Sequence, residues 1–351
     1  MKLAIDCRMI GSGGIGTYIS ELIPYFLEKN TCLLIGTHEQ CMPFLRMQNV
    51  EFCFCNIKPF SLKEIFSFPQ NALAEINKCD AYYTPYCNIP GGIQVPIYST
   101  IHDVVFFDIP ELTSFFGKIL RRMMYIRAIS HSQAIFTVSE FSKERIIHHL
   151  HCKKPVIVGY NGISSWILKK DDSEEENAEK QMQILFVGNI KKHKGLAVLL
   201  DAFSIVHDKI PELKLVITGN AENFRSGDEK VLKKLKASND SVVFTGKISN
   251  SELKKQYKSS KLLVQPSFYE GFGIPPLEAL YCRTNAIISD IPVFKEIYGK
   301  FPVTFFECGN SEDLAEKILN HLNDSQPKEI PDTYSYKNTY NMILSTISNS
   351  N

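Results

Sequence analysis

Two glutamates separated by seven residues, Glu270 and Glu278, bracket the run Gly271-Phe272-Gly273-Ile274-Pro275-Pro276-Leu277. The apolar, strand-like residues 262–265 precede them, and Pro275 and Pro276 suit a first helical turn. Glycines at 271 and 273 let a loop present backbone N–H groups. Ionised carboxylates are paired acceptors for the hydroxyls of a diol. The pattern describes a helix N-terminus with anion-binding amides beside two hydroxyl-binding acids, Glu278 facing a cleft. Its bland alternative is a helix cap with solvated glutamates, and an isolated E-x7-E would be read that way.

Three other places could do chemistry. In Val187-Gly-Asn189-Ile-Lys191-Lys192-His193-Lys194-Gly195, cations occupy a strand-to-helix loop, which suits a phosphate; a solvated basic loop is the equal alternative. Gly11-Ser12-Gly13-Gly14-Ile15-Gly16 fits GxGxxG ahead of a helix placed near Thr17. It departs from the dinucleotide fingerprint: Arg8, Met9 and Ile10 intervene after the strand, and no acid follows about 20 residues on. His102-Asp103 ends the strand-like run 97–103, where active sites form in alternating α/β folds, although a lone histidine is more often structural. The chain has no Asp-x-Asp, HExxH, GxSxG or GxxxxGK[ST], so zinc-hydrolase, α/β-hydrolase and P-loop readings lack support.

The elements that must position these residues alternate. Residues 2–8, 33–37, 52–57, 81–85, 97–103, 134–139 and 156–160 read as strands, with helices at 17–29, 114–130 and 140–150. The acidic stretch 171–179, within 169–183, carries almost no large apolar residue and reads as a linker. The pattern then restarts, with strands at 184–187, 213–218, 242–245, 262–265, 286–289 and 303–306. Helices fall near 196–203, 229–236, 251–259, 275–282 and 311–322. Such alternation predicts two doubly wound parallel sheets, the two domains facing across a cleft.

Composition agrees with a large globular α/β chain. Of 351 residues, 44% are hydrophobic and 22% charged, and the net charge of +1 implies no polyelectrolyte role. The ten cysteines show neither CxxC pairs nor zinc-ligand spacing, and free thiols are expected. No apolar stretch reaches the roughly 18 residues of a membrane span, and the N-terminus reads straight into a strand, which points to the cytoplasm. Nucleic-acid binding has no basic patch with interleaved aromatics behind it. Residues 114–130 hold Lys118, Arg121, Arg122 and Arg127 among Phe115, Phe116, Ile119, Leu120 and Met123, with no acid. Such a helix suits the surface of an anionic inner leaflet. Apolar residues nearly all round it favour the other reading, burial in the core.

Over nearly its whole length the chain resembles family 4 glycosyltransferases of the GT-B fold. The likeness is carried in order by GSGGIGTY (11–18), IHDVVFFDIPEL (101–112), IFTVSEFSKERI (135–146), NGI (161–163), VGNIKKHKGLAVLLDAF (187–203), LVITGN (215–220), VVFTGKIS (242–249) and PSFYEGFGIPPLEAL (266–280). The resemblance implies an acceptor-side domain at 1–168, a linker at 169–183, a nucleotide-sugar domain at 184–332, and a terminal helix within 333–351 that crosses back. It implies that Glu278 binds the ribose, and that Glu270 with Gly271, Phe272, Gly273 and Ile274 binds the donor sugar. Lys194 and the Gly13–Gly14 backbone would take the diphosphate, His102 would lie against the sugar, and Lys247 and Ile248 would border the base. Asn189 and His193 stand where members carry a second cation.

The implied reaction is hexosyl transfer from a nucleotide sugar, with retention and without a cofactor or metal, to a glycan or lipid-linked acceptor of envelope polysaccharide synthesis. Two rivals accompany it: an NAD-dependent oxidoreductase using Gly11–Gly16, and a non-catalytic nucleotide-sugar-binding protein of the same fold.

Overall fold

A computed structural model describes residues 1–169, 180–219, 231, 240–327 and 329–349. The expected acidic linker at 171–179 and nearly all of the expected helix at 229–236 lie outside the described residues. The chain divides into two compact units, Met1–Gly162 with Tyr334–Asn351, and Ile163–Thr333.

The first unit carries β1 (Lys2–Asp6), β2 (Thr31–Gly36), β3 (Val50–Phe54), β4 (Ala81–Thr84), β5 (Ile97–Thr100), β6 (Ser132–Thr137) and β7 (Val156–Val158). They form one parallel sheet in the order β3-β2-β1-β4-β5-β6-β7. The second unit carries β8 (Gln181–Val187), β9 (Lys214–Thr218), β10 (Val242–Gly246), β11 (Ser260–Gln265), β12 (Asn285–Ser289) and β13 (Val303–Phe306). Their order, β10-β9-β8-β11-β12-β13, repeats the pattern, again all parallel. Both sheets reverse winding next to their first strand, between β1 and β4 and between β8 and β11. In doubly wound sheets that is where ligands bind, outside the carboxyl ends of the strands.

Every expected strand is present, with ends shifted by a few residues. β4 and β11 are buried along almost their whole length, and β8 over Gln183–Phe186, which is why they read as short apolar runs rather than as alternating ones. The first unit's core gathers Ala4, Leu33, Ile35, Tyr82 and Ile135; the second's gathers Ile184, Leu199, Leu215, Val264 and Ile287. The C-terminal helix Tyr336–Asn349 belongs to the first unit and packs on the helix Gly13–Lys29. There the Tyr340 ring meets Phe26 at 5.2 Å and Tyr25 at 6.0 Å.

Two expectations need correction. The first helix begins at Gly13 rather than near Thr17, so Gly13 and Gly14 form its first turn instead of a loop before it. The helix Phe115–His131 does not bury its apolar residues. Only Tyr125 and Ala128 are buried, whereas Phe115, Phe116, Leu120 and Met123 are exposed. All ten cysteines are free thiols. Among the described residues no helix is long and apolar enough to cross a membrane.

Candidate functional site

The second unit's site forms where β8 and β11 end side by side. β8 runs into a loop and a single 3-10 turn, Lys192–Lys194, before the helix Leu196–His207. β11 runs into 266–273 and the helix Ile274–Tyr281. Gly195 locks the two loops together. Its φ is +69°, and a Cβ there would collide with the Pro266 carbonyl oxygen, so only glycine permits the approach. The Phe268 amide also donates to the His193 carbonyl at 2.8 Å.

Lys194 and Glu270 therefore meet. Lys194 Nζ donates to both Glu270 carboxylate oxygens at 2.7 Å. Ser267 Oγ donates to Oε1 at 2.8 Å and Gln265 Nε2 at 3.4 Å. Burial alone would raise the pKa of Glu270, but the Lys194 ammonium outweighs it and holds the carboxyl below its ordinary value. Burial first, and Lys194 second, press the neighbouring His193 ring down to about 4. It is thus neutral at pH 7, and the cations left in this loop are Lys191, Lys192 and Lys194. Asn189 is exposed beside them.

Glu278 lies one helix turn deeper and is buried. Ser164 Oγ donates to one of its oxygens at 2.8 Å and Tyr257 OH to the other at 2.9 Å. Gly271, Phe272 and Gly273 are buried in the loop, Gly273 at φ +84°. Tyr298 OH donates to the Gly273 carbonyl and accepts from Leu277 N at 3.2 Å. Pro275 and Pro276 have no N–H, so Tyr298 fixes this turn while Ile274 opens it. Lys247, exposed, and Ile248, half-buried, follow β10.

The first unit's candidates sit at the carboxyl end of its own sheet. Gly13 and Gly14 are exposed after β1. His102 follows β5; its Nε2 lies 2.9 Å from the Pro85 carbonyl oxygen, beyond β4. A carbonyl accepts only, so Nε2 carries the proton and Nδ1 is the bare nitrogen. The Tyr18 ring stands edge-on to the imidazole at 4.8 Å, and burial lowers its pKa to about 4.

Sequence reasoning named Lys194, Glu270, Glu278 and His102 but missed their partners. Ser267 had a signal, the Ser-x-x-Glu spacing to Glu270. Ser164, Tyr257, Tyr298, Tyr18 and Pro85 are remote in sequence and had none.

The family described as "Glycosyl transferases group 1" matches residues 169–338, the stretch that holds Lys194, Glu270 and Glu278. That stretch, a little under half of the chain, is similar to the group 1 glycosyl transferases. The chain is 31% identical over 201 residues to the O-antigen chain mannosyltransferase RfbU of Salmonella typhimurium, covering 56% of this chain and 53% of that protein. It is 24% identical over 265 residues to O-antigen chain mannosyltransferase B of Escherichia coli, covering 71% of this chain and 67% of that one. The chain thus spans little more than half the length of the first of these relatives. Among solved structures, Anabaena HepE in complex with UDP and glucose superposes with a TM-score of 0.75 at 16% identity, over 99% of both chains. A sucrose-phosphate synthase from Thermosynechococcus elongatus gives 0.66 at 14% identity, over 99% of this chain and 94% of that one. At these identities the likeness is one of fold: two Rossmann-like α/β domains, GT-B.

Proposed function

We propose that this chain is a group 1 glycosyl transferase, a retaining, metal-independent hexosyltransferase. It would move a sugar from a nucleotide-sugar donor to a hydroxyl of a glycan or lipid-linked acceptor in envelope polysaccharide synthesis. The names of the O-antigen relatives support the pathway class and make mannose the first sugar to try. HepE, solved with UDP-glucose, supports a nucleotide-sugar donor. Contact with an anionic membrane through 114–130 belongs to the same reading.

The observation that carries it is Lys194 seated on Glu270 at the winding reversal of the second sheet. Glycosyl transfer builds positive charge at the anomeric carbon and negative charge on the departing diphosphate. A cation already in place stabilises the leaving group without reorganisation. Lys194 takes that role in the proposal, with the amides of 271–274, and Glu270 takes the sugar hydroxyls. Glu278, already holding Ser164 and Tyr257, takes the ribose. His102 would offer Nδ1 to a sugar hydroxyl as an acceptor. The acceptor hydroxyl would pass its proton to the leaving phosphate, so no protein nucleophile is needed. Metal independence rests on Lys194 and on the lack of Asp-x-Asp.

The test is transfer from GDP-mannose and UDP-glucose, with the anomeric configuration of the product read by NMR and EDTA present or absent. Retained configuration and activity surviving EDTA are expected. Inversion, or strict dependence on Mg²⁺ or Mn²⁺, would overturn the corresponding part.

A further inference from the structure

A second exposed apolar and basic segment stands in the first unit. After β3 the chain forms the short helix Leu62–Phe66, with Phe60 47%, Leu62 65% and Phe66 78% exposed. Lys58 and Lys63 are exposed beside them. Phe115 and Phe116 are 74% and 80% exposed, at the start of the helix that follows β5. Both strands are parallel, so both segments leave the carboxyl end of the sheet, the end that bears Gly13, Gly14 and His102. They are tied through 88–91: Gly91 N donates to the Glu64 carbonyl at 3.2 Å, and Arg127 Nη2 to the Ile89 carbonyl at 3.5 Å.

A buried cation holds the 57–68 segment in shape. Arg8 Nη2 donates to Glu64 Oε1 at 2.6 Å and Nη1 to the Ile57 carbonyl at 3.4 Å, and its guanidinium lies 5.0 Å from the Phe68 ring centre. Glu64 in turn accepts from Phe60 N at 3.1 Å, which fixes Phe60 in a left-handed conformation, φ +62°. A bulky side chain rarely adopts that backbone. Here it leaves an aromatic ring half out in solvent.

We infer that 58–66 and the first turns of the helix Phe115–His131 form a two-part surface that enters the headgroup layer of an anionic bilayer. The carboxyl end of the first sheet would then face the lipid. This deepens the membrane contact in the proposed function and rests on it. Charge complementarity selects the occupant. The acid within 57–70 is Glu64, which is buried, and 113–131 contains no acid; six lysines and arginines are spread over the two. Of these, Lys58, Lys63 and Arg122 are exposed, and exposed cations around bulky apolar tips fit phosphate headgroups above acyl chains. Protein interfaces, by contrast, are depleted in lysine.

Vesicle flotation of the full chain tests it, using mixed phosphatidylglycerol–phosphatidylcholine vesicles against phosphatidylcholine alone. The wild type should float with the anionic vesicles only, and less at high salt. Leu62→Ser/Phe66→Ser and Phe115→Ser/Phe116→Ser should each lower partitioning about tenfold or more. Both variants should retain turnover on a water-soluble acceptor. Wild-type flotation by Leu62→Ser/Phe66→Ser would remove 58–66 from the surface and leave the helix alone. A wild type that ignores anionic vesicles would overturn the whole surface. A dimer seen by light scattering and lost in these variants would assign the face to a second copy. Absence of sugar transfer with flotation intact would sink the proposed reaction and leave the surface standing.

Discussion

Lys194 both neutralises a buried carboxylate and supplies the charge that a departing diphosphate needs, and the two roles separate by substitution. Lys194→Ala leaves Glu270 ionised and buried without its cation, which costs about 3–5 kcal/mol in comparable pairs. Adding Glu270→Gln removes that burden. The double variant should therefore recover most of the lost stability in urea melts, while turnover stays down on the order of 10²-fold. Full turnover in the well-folded double variant would refute the leaving-group role. The two depressed histidines act on stability through pH. His102 and His193 titrate near 4 in the fold, against 6.5 ordinarily. Between those values the unfolded chain binds more protons, so stability rises with pH. Their contribution is complete above about 6.5 and is lost as pH falls toward 4. Melting temperature should fall between pH 7 and 4.5, and His102→Gln/His193→Gln should flatten that fall; equal slopes would show that other groups carry it.

At the scale of elements, the glycine-rich turn separates two roles that the string GxGxxG merges. Gly16 packs within the helix Gly13–Lys29, where a Cβ would come 2.6 Å from the Met9 carbonyl oxygen and 2.8 Å from Gly11 N. Gly14, in the first turn of the same helix, has nothing within 4 Å of its Cβ position. Gly16→Ala should destabilise by about 1–3 kcal/mol, because backbone cannot yield as a side chain can. Gly14→Ala should stabilise by about 0.5 kcal/mol, since alanine loses less entropy on folding. Denaturant midpoints decide; the same sign for both would mean that close backbone approach does not govern this turn. The helix Phe115–His131 teaches the complementary lesson. Apolar residues all round a helix were grounds for burial, yet most of its turns lie outside the core. Periodicity reports how many faces are apolar, not whether anything covers them.

At the scale of the molecule, the chain closes its first unit with its last helix. Tyr340, Ile343 and Ile347 are buried there, against the helix Gly13–Lys29. Deleting 334–351 would uncover that face and leave the second unit's own sheet whole. Calorimetry should then show the first unit's transition lowered by about 5 °C or more, with the second unit's unmoved. A single transition shifted as a whole would show that the two units unfold together. The sequence by itself determined the two-sheet plan, because strand–helix alternation and short buried runs are local signals that parallel sheets impose. It also offered Lys194, Glu270, Glu278 and His102 as candidates: the two glutamates by their seven-residue spacing around a Gly/Pro turn, Lys194 by its strand-to-helix loop, and His102 by the end of a strand-like run. Tertiary structure alone decided that Lys194 and Glu270 are one ion pair, that Glu278 answers to Ser164 and Tyr257, and that His193 is neutral. It also decided that Arg8 anchors a loop some 50 residues away. Those facts depend on which strand ends lie side by side and on how much water is excluded between them, and neither is written in the spacing of residues along the chain.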